Sequence, residues 1–486
     1  MFGIDAGDLE FLQANLHRLP SFRRLFETGS LHRLRTTSGL LTGSVWPTFY
    51  SGTMPGEHGI YHHLQWDPAN MQIRRVSADW LYREPFWYEL ARQGARVRVV
   101  DVPMMFPSRL DSGIEIVNWG SHDQLGSFHS NSNHLARSIH RQFGTHPMGP
   151  EIPVTKSGKQ LDRIHRNLIE GVKKKGELIQ ELLQDSNWDF FLGVFGETHR
   201  GGHILWPEKD TESAIPADAL LEVYQAIDTA IKKILEQINL EKTSVILFSL
   251  HGMQSNMSQE HFVLPAMQRI NKSFLNGRQP DGTRPPTQRS VMRWLRNTVP
   301  AGLQHAIARS VSVRVRDWVV SRATSSGYDW SRTPGFPLLA DYNGYLRFNI
   351  KGREHQGYLD KNDPLLGRYA AFVEQNFRDL QLADTGFPLV HDMVAAQSVF
   401  PGEHSQLLPD VIVTWNNTAP ATTVVSRGLG RFGAHLETGR SGNHRHEGFA
   451  LVAGERQASI TNAWPTNMHI AHLAPSLLQC YLQPPA

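Results

Sequence analysis

DFFLGVFGETHRGGH, residues Asp189 to His203, is the stretch on which the fold turns. Its first half is an unbroken apolar run, Phe190 to Phe195, bounded by Asp189 and Gly196. A strand with one wet face alternates apolar and polar residues. A run without alternation fits a strand covered on both faces, as in a parallel sheet. The second half changes character at once and brings Glu197, His199 and His203 close together.

Outward from this stretch the pattern repeats. Leu161 to Asp185 reads as a long amphipathic helix, and Leu220 to Ile238 as a second. Ser244 to Ser249 is another apolar strand, ending at Leu250-His251-Gly252. Nearer the N-terminus, Met1 to Ile4 reads as a buried strand followed by Asp5. Phe22 to Thr28 and Glu84 to Gln93 read as helices, each ended by a glycine, and Val97 to Val102 as a strand. Asp410 to Trp415 and Phe449 to Ala453 are late strands. The alternation predicts an α/β fold, a doubly wound, mostly parallel sheet with helices on both faces. The basic run Lys173 to Lys175 reads as a solvated helix face.

Composition narrows the class. The 486 residues are 40% apolar and 20% charged, which describes a globular chain with a sizeable core. A formal charge of +3 is too small to imply specific nucleic-acid binding. The single cysteine, Cys480, excludes disulfides within the chain. No basic-then-apolar leader and no membrane-length apolar run are visible, so a cytoplasmic location is expected. Between Met257 and Thr333 arginines accumulate, from Arg278 to Arg322, with few acids. This segment reads as a basic helical insertion or lid, 257–333, on a main domain formed by 1–256 and 334–486. Its charge would steer an anion, or would simply face water.

A second stretch, TGSVWPTFYSGTMPGEHGIYHH from Thr42 to His63, looks little like ordinary core. Val45 to Tyr50 fits a buried helix with Pro47 in its first turn. A hydroxyl at such a start ordinarily only caps the helix, but it also lies among N–H groups that favour anions. In an open α/β sheet, reactive groups gather beyond the carboxyl ends of strands. Asp5, the Glu197/His199/His203 group, His251 and His444 (in SGNHRHEG) all fall there, and carboxylate with imidazole suits zinc and related ions. Asp8 reads as a helix cap and Trp46 as core. His122 and Asp123 in NWGSHD follow a strand and would reach a substrate or stay structural.

These blocks, with GIDAGD, PFWYELARQGARVRVVDVPM, NGYLRFNIKGRE and LPDVIVTW, resemble the alkaline phosphatase superfamily, in its type I phosphodiesterase and nucleotide pyrophosphatase-like branch. The resemblance implies that Thr42 is the nucleophile, with Ser44 and Thr48 as alternatives by register. It also implies metal ligation by Asp5, His203, His251 and His444, and one or two divalent ions, commonly zinc. The expected activity is hydrolysis of a small-molecule phosphate ester, a phosphodiester or nucleotide-type pyrophosphate, through a phosphothreonine. Phosphoryl or phosphoglycerol transfer on the same scaffold, and ligand binding without turnover, are the alternatives. Two departures matter. His199 stands where the pattern has the aspartate of Asp-x-x-x-His, with Glu197 the nearest carboxylate, and Leu250 stands where it has the aspartate of Asp-His-Gly.

Overall fold

The computed structural model describes residues 1–149, 158–185, 187–208, 215–276, 313–325, 327–436 and 439–482. The chain divides into two compact units, one of residues 1–54, 77–255 and 439–486, the other of residues 55–76 and 256–438.

The first unit is built on an eight-stranded sheet. Across it run Ser30–Leu34, Gly448–Gly454, Ser244–Ser249, Phe2–Ile4, Phe190–Phe195, Val97–Val100, Ile114–Val117 and His129–Ser130. The five strands from Ser244–Ser249 to Ile114–Val117 are parallel, and the remaining three pair antiparallel at the edges. The sheet is mostly parallel because its centre is buried on both sides.

The period of two along each strand explains both faces. Phe2, Ile4, Phe191, Phe195 and Leu247 share one core with Leu168, Val172 and Ile179 of the helix Gly158–Leu183 and Ile227 and Ile231 of the helix Ala219–Leu235. The alternate residues face the other way. Phe248 meets Trp46 and Phe49 of the helix Val45–Ser51, and Phe190 meets Phe86 of the helix Phe86–Arg92. Gly3 lies on that second face, where an added Cβ would come within 3.3 Å of Trp46, Val194 and Phe248. Each fully buried aromatic or aliphatic side chain contributes roughly 1.5–3 kcal/mol. Among the described residues no helix is long and apolar enough to cross a membrane.

The second unit has its own core and a four-stranded antiparallel sheet, Gly335–Pro337, Gly344–Phe348, Val411–Trp415 and Val390–Ala395. The late strand expected at Asp410 to Trp415 therefore belongs here and not to the main sheet. Residues 334–436, assigned from sequence to the main domain, pack in this unit around Val263, Met267 and Ile270 of the helix Val263–Asn276. Their apolar residues match those of that helix, a pairing that strand-by-strand reading does not reveal. Of the basic insertion, residues 277–312 lie outside the described residues. Its last helix, Val313–Ser325, is tied to the hairpin strand Gln72–Arg75 by a two-pronged Arg75–Asp317 pair at 2.7 and 2.8 Å.

Candidate active site

Five parallel strands end on polar residues, and all of these lie in the first unit. Asp5 follows Ile4, Asp101 follows Val100, Asn118 to His122 follow Val117, the helix Glu197–Leu205 comes one residue after Phe195, and His251 comes one residue after Ser249, past Leu250. Ala6, Asp101, Asn118 and Asp123 have φ of 54, 63, 60 and 47°. Left-handed backbone is costly for residues with a Cβ and tends to collect where function holds it.

Asp5 is the hub. Being two residues from Gly3, it shares the Trp46 face, and Trp46 Nε1 donates to Asp5 Oδ1 at 2.9 Å. Trp46 is thus core, as expected, and also an anchor between Asp5 and the helix that follows Thr42. Around Asp5 stand His122 Nε2 at 2.6 Å, His199 Nδ1 at 3.2 Å and His251 Nε2 at 3.9 Å. On its other side His199 Nε2 lies 3.2 Å from His203 Nε2, and the His203 Nδ1 contact with the Gly442 carbonyl leaves Nε2 turned inward. His444 completes this side, its ring centre 4.7 Å from that of His203 and 4.8 Å from that of His251.

Two sets of potential ligand atoms result, His199/His203/His444 and Asp5/His199/His251, each with its atoms within 4.8 Å of one another. Two nitrogens bound to one tetrahedral ion at 2.0–2.1 Å sit about 3.3 Å apart, close to the His199–His203 spacing. Asp5 Oδ2, His199 Nδ1 and His444 Nδ1 are buried without a hydrogen bond. These side chains fit a divalent ion.

Charge points the same way. Burial would push Asp5 up, but His122 and His199 hold its carboxyl well below the usual carboxylate range. Burial lowers His203 and His444 well below the ordinary histidine value and His251 to about 4, so all three are neutral near pH 7 with lone pairs free for a cation. Asp5 and Asp123, acting against burial, hold His122 well above that value.

Thr42 is buried at the start of the turn Thr42–Ser44 that leads into Val45–Ser51, and its Oγ1 donates to the Ser38 carbonyl at 3.2 Å. Ser44 Oγ is taken up by the Leu41 carbonyl at 2.6 Å. Asp8 caps the helix Leu9–Asn15, accepting from the Phe11 N–H at 2.8 Å.

Glu197 goes elsewhere. Its Oε1 lies 2.9 Å from His146 Nε2 and 3.7 Å from Lys175 Nζ, and Lys175 is 2.8 Å from Asp101. Expected near the metal, Glu197 instead joins a buried ionic tetrad behind it, because it opens the helix on the side facing Gly158–Leu183. Burial would raise Glu197, but Lys175 and His146 lower it, and Asp101 and Glu197 raise Lys175 against burial. Asp101 also accepts the Trp119 and Gly120 N–H groups at 2.9 and 2.6 Å. The tetrad thus joins the helix carrying His199 and His203 to the loop carrying His122. Lys175 corrects the solvated-face reading of 173–175, since only Lys173 is exposed and Lys175 is fully buried. Its spacing from Leu168, Val172 and Ile179 was the available signal. Leu250 is buried and offers no donor.

Fold and site together define an α/β protein with a buried, histidine-rich centre at the carboxyl edge of its sheet. The chain belongs to the type I phosphodiesterase / nucleotide pyrophosphatase family, whose model matches residues 1–274, and this supports a phosphate-ester hydrolase type of activity. No curated protein sequence matches it. Similar solved structures include phosphonoacetate hydrolase from Sinorhizobium meliloti 1021 with phosphonoformate, at 11% identity over 93% of this chain and 88% of that one, TM-score 0.48. They also include murine ectonucleotide pyrophosphatase / phosphodiesterase 5 with AMP, at 11% identity, 99% and 93% coverage, TM-score 0.47. The human form of that protein matches at 10% identity with the same coverage and TM-score.

Proposed function

We propose that this chain is a metal-dependent hydrolase of small phosphate esters, a phosphodiester or nucleotide-type pyrophosphate, acting through a covalent intermediate on Thr42. The observation that carries this reading is the convergence of Asp5, His199, His203, His251 and His444, with the Thr42 segment tethered to Asp5 through Trp46. Asp5 and these histidines would hold one or two divalent ions, zinc being well suited to such donors. Ions there would supply positive charge against the phosphoryl oxygens and lower the pKa of a bound hydroxyl or water.

The chain's own residues do the rest. The Thr42 hydroxyl points its proton at the Ser38 carbonyl, which leaves an oxygen lone pair for phosphorus. As the Oγ–P bond forms, the bond to the leaving oxygen breaks on the opposite side, and the Thr42 proton is relayed through water to that oxygen. Water then forms a new O–P bond while Oγ–P breaks, which restores the hydroxyl and releases the phosphate monoester. The buried walls around Thr42 and Asp5 limit other solvent, and fixed charges act strongly in such a site.

Leu250 favours a second reading, binding without turnover, because it removes a potential ligand beside His251. Acid quenching during turnover of a nitrophenyl phosphodiester, followed by peptide mass spectrometry, separates the two. A phosphoryl adduct on Thr42 supports hydrolysis through that residue; turnover with no adduct and an undiminished rate in Thr42→Ala refutes it.

A further inference from the structure

His199 presents Nδ1 to Asp5 and Nε2 to His203, but a neutral imidazole has one lone pair and can ligate through only one of them. If that lone pair serves the position of His203 and His444, Asp5 and His251 are left as a pair, with Leu250 contributing nothing. Two protein ligands hold a divalent ion poorly, since closed and catalytic zinc sites use three or four.

The structure supplies a third. His122 is buried, its ring stacks on that of His199 with centres 3.7 Å apart, and its Nε2 lies 2.6 Å from Asp5 Oδ2. Asp5 Oδ2 and both ring nitrogens of His122 are buried without a well-aligned hydrogen bond, which leaves them available to a cation. On the far side of the ring, Nδ1 is 3.2 Å from Asp123 Oδ2. A carboxylate behind a histidine is the usual support of a metal ligand, because it fixes the proton on the outer nitrogen and the lone pair on the inner one. The left-handed backbone at Asn118 and Asp123, on either side of His122, turns this loop into the centre.

We infer that His122 is a ligand of the ion held by Asp5 and His251, oriented by Asp123. This rests on the metal-dependent reading above and adds a position that the sequence blocks do not assign. The ion would displace the proton that the flanking carboxylates favour on His122 and would then have three protein ligands, one carboxylate and two imidazoles.

Cobalt(II) titration of the full-length chain tests it, with equivalents counted and affinities taken by competition against a chromophoric chelator. Wild type is expected to bind two equivalents. His122→Ala should weaken one of them at least tenfold and alter the visible ligand-field bands, leaving the other unchanged as an internal check of folding. Asp123→Asn should weaken the same equivalent by roughly 10–100-fold, and His122→Gln, which keeps a polar side chain in place, serves as the second variant. Unchanged binding in the His122 variants, or equal weakening of both equivalents, overturns the assignment alone. A wild-type chain that binds no cobalt overturns both this assignment and the metal-dependent reading.

Discussion

Replacing Lys175 with methionine removes the only ammonium from the tetrad while keeping most of the side-chain volume. Asp101 would keep its two backbone N–H donors, at 2.9 and 2.6 Å. Glu197 would keep His146, at 2.9 Å, and the N–H of its own backbone, but no ammonium among the described residues. The cost therefore falls mainly on Glu197, a fully buried carboxylate deprived of its nearest lysine. Breaking a buried ion pair by removing one partner typically costs 3–5 kcal/mol. Because Asp101 stays solvated by the backbone, the expected loss is about 3 kcal/mol, at the lower end. Neutralising the orphan in Lys175→Met/Glu197→Gln should recover at least about 1 kcal/mol, the size of coupling seen between residues in contact. Urea unfolding gives the energies, and hydrogen–deuterium exchange of peptides spanning 190–205 localises them. A loss below 1 kcal/mol, or no recovery in the double variant, would refute the role of Lys175 as counter-charge to Glu197.

Other substitutions test neighbouring links. Gly171→Ala places a Cβ 2.6 Å from His146 Cε1 and 3.3 Å from Glu197 Oε1, so a loss of roughly 1–3 kcal/mol is expected from overpacking, read by the same urea midpoint. Trp46→Phe keeps the aromatic packing on Phe248 but deletes the donor to Asp5; stability should fall by about 1–3 kcal/mol and turnover should fall with it. Leu250→Asp returns a carboxylate beside His251 and should tighten metal binding in chelator competition, whereas unchanged affinity would place Leu250 outside the ion's reach.

Much of the first unit was legible because its chemistry is local. Phe190–Phe195 and Ser244–Ser249 are continuous apolar runs, and the candidate residues His199, His203 and His251 come just after their ends; Asp5 follows the short run Phe2–Ile4, and His444 stands in the polar loop before Gly448–Gly454. What stayed hidden depends on which way a helix or loop faces. Lys175 sits in a three-lysine run that looks solvated, yet the helical period turns it inward, and Glu197 follows it rather than the histidines two and six residues on. His122 reads from sequence as reaching a substrate or staying structural, because nothing in NWGSHD shows that its ring stacks on His199. Val411–Trp415 has the same apolar look as the central strands, but its antiparallel partners Gly344–Phe348 and Val390–Ala395 place it in another sheet.

The most direct test of the central claim couples metal analysis to turnover. Wild-type protein and Thr42→Ala are purified without chelator, their metal content is measured per chain, and hydrolysis of a nitrophenyl phosphodiester is followed before and after metal removal. The account predicts bound divalent metal in both proteins, turnover in wild type that is lost on stripping and regained with zinc, and a fall of roughly 10³-fold or more in Thr42→Ala. Full turnover by metal-free protein, or a wild-type rate in Thr42→Ala, would contradict it.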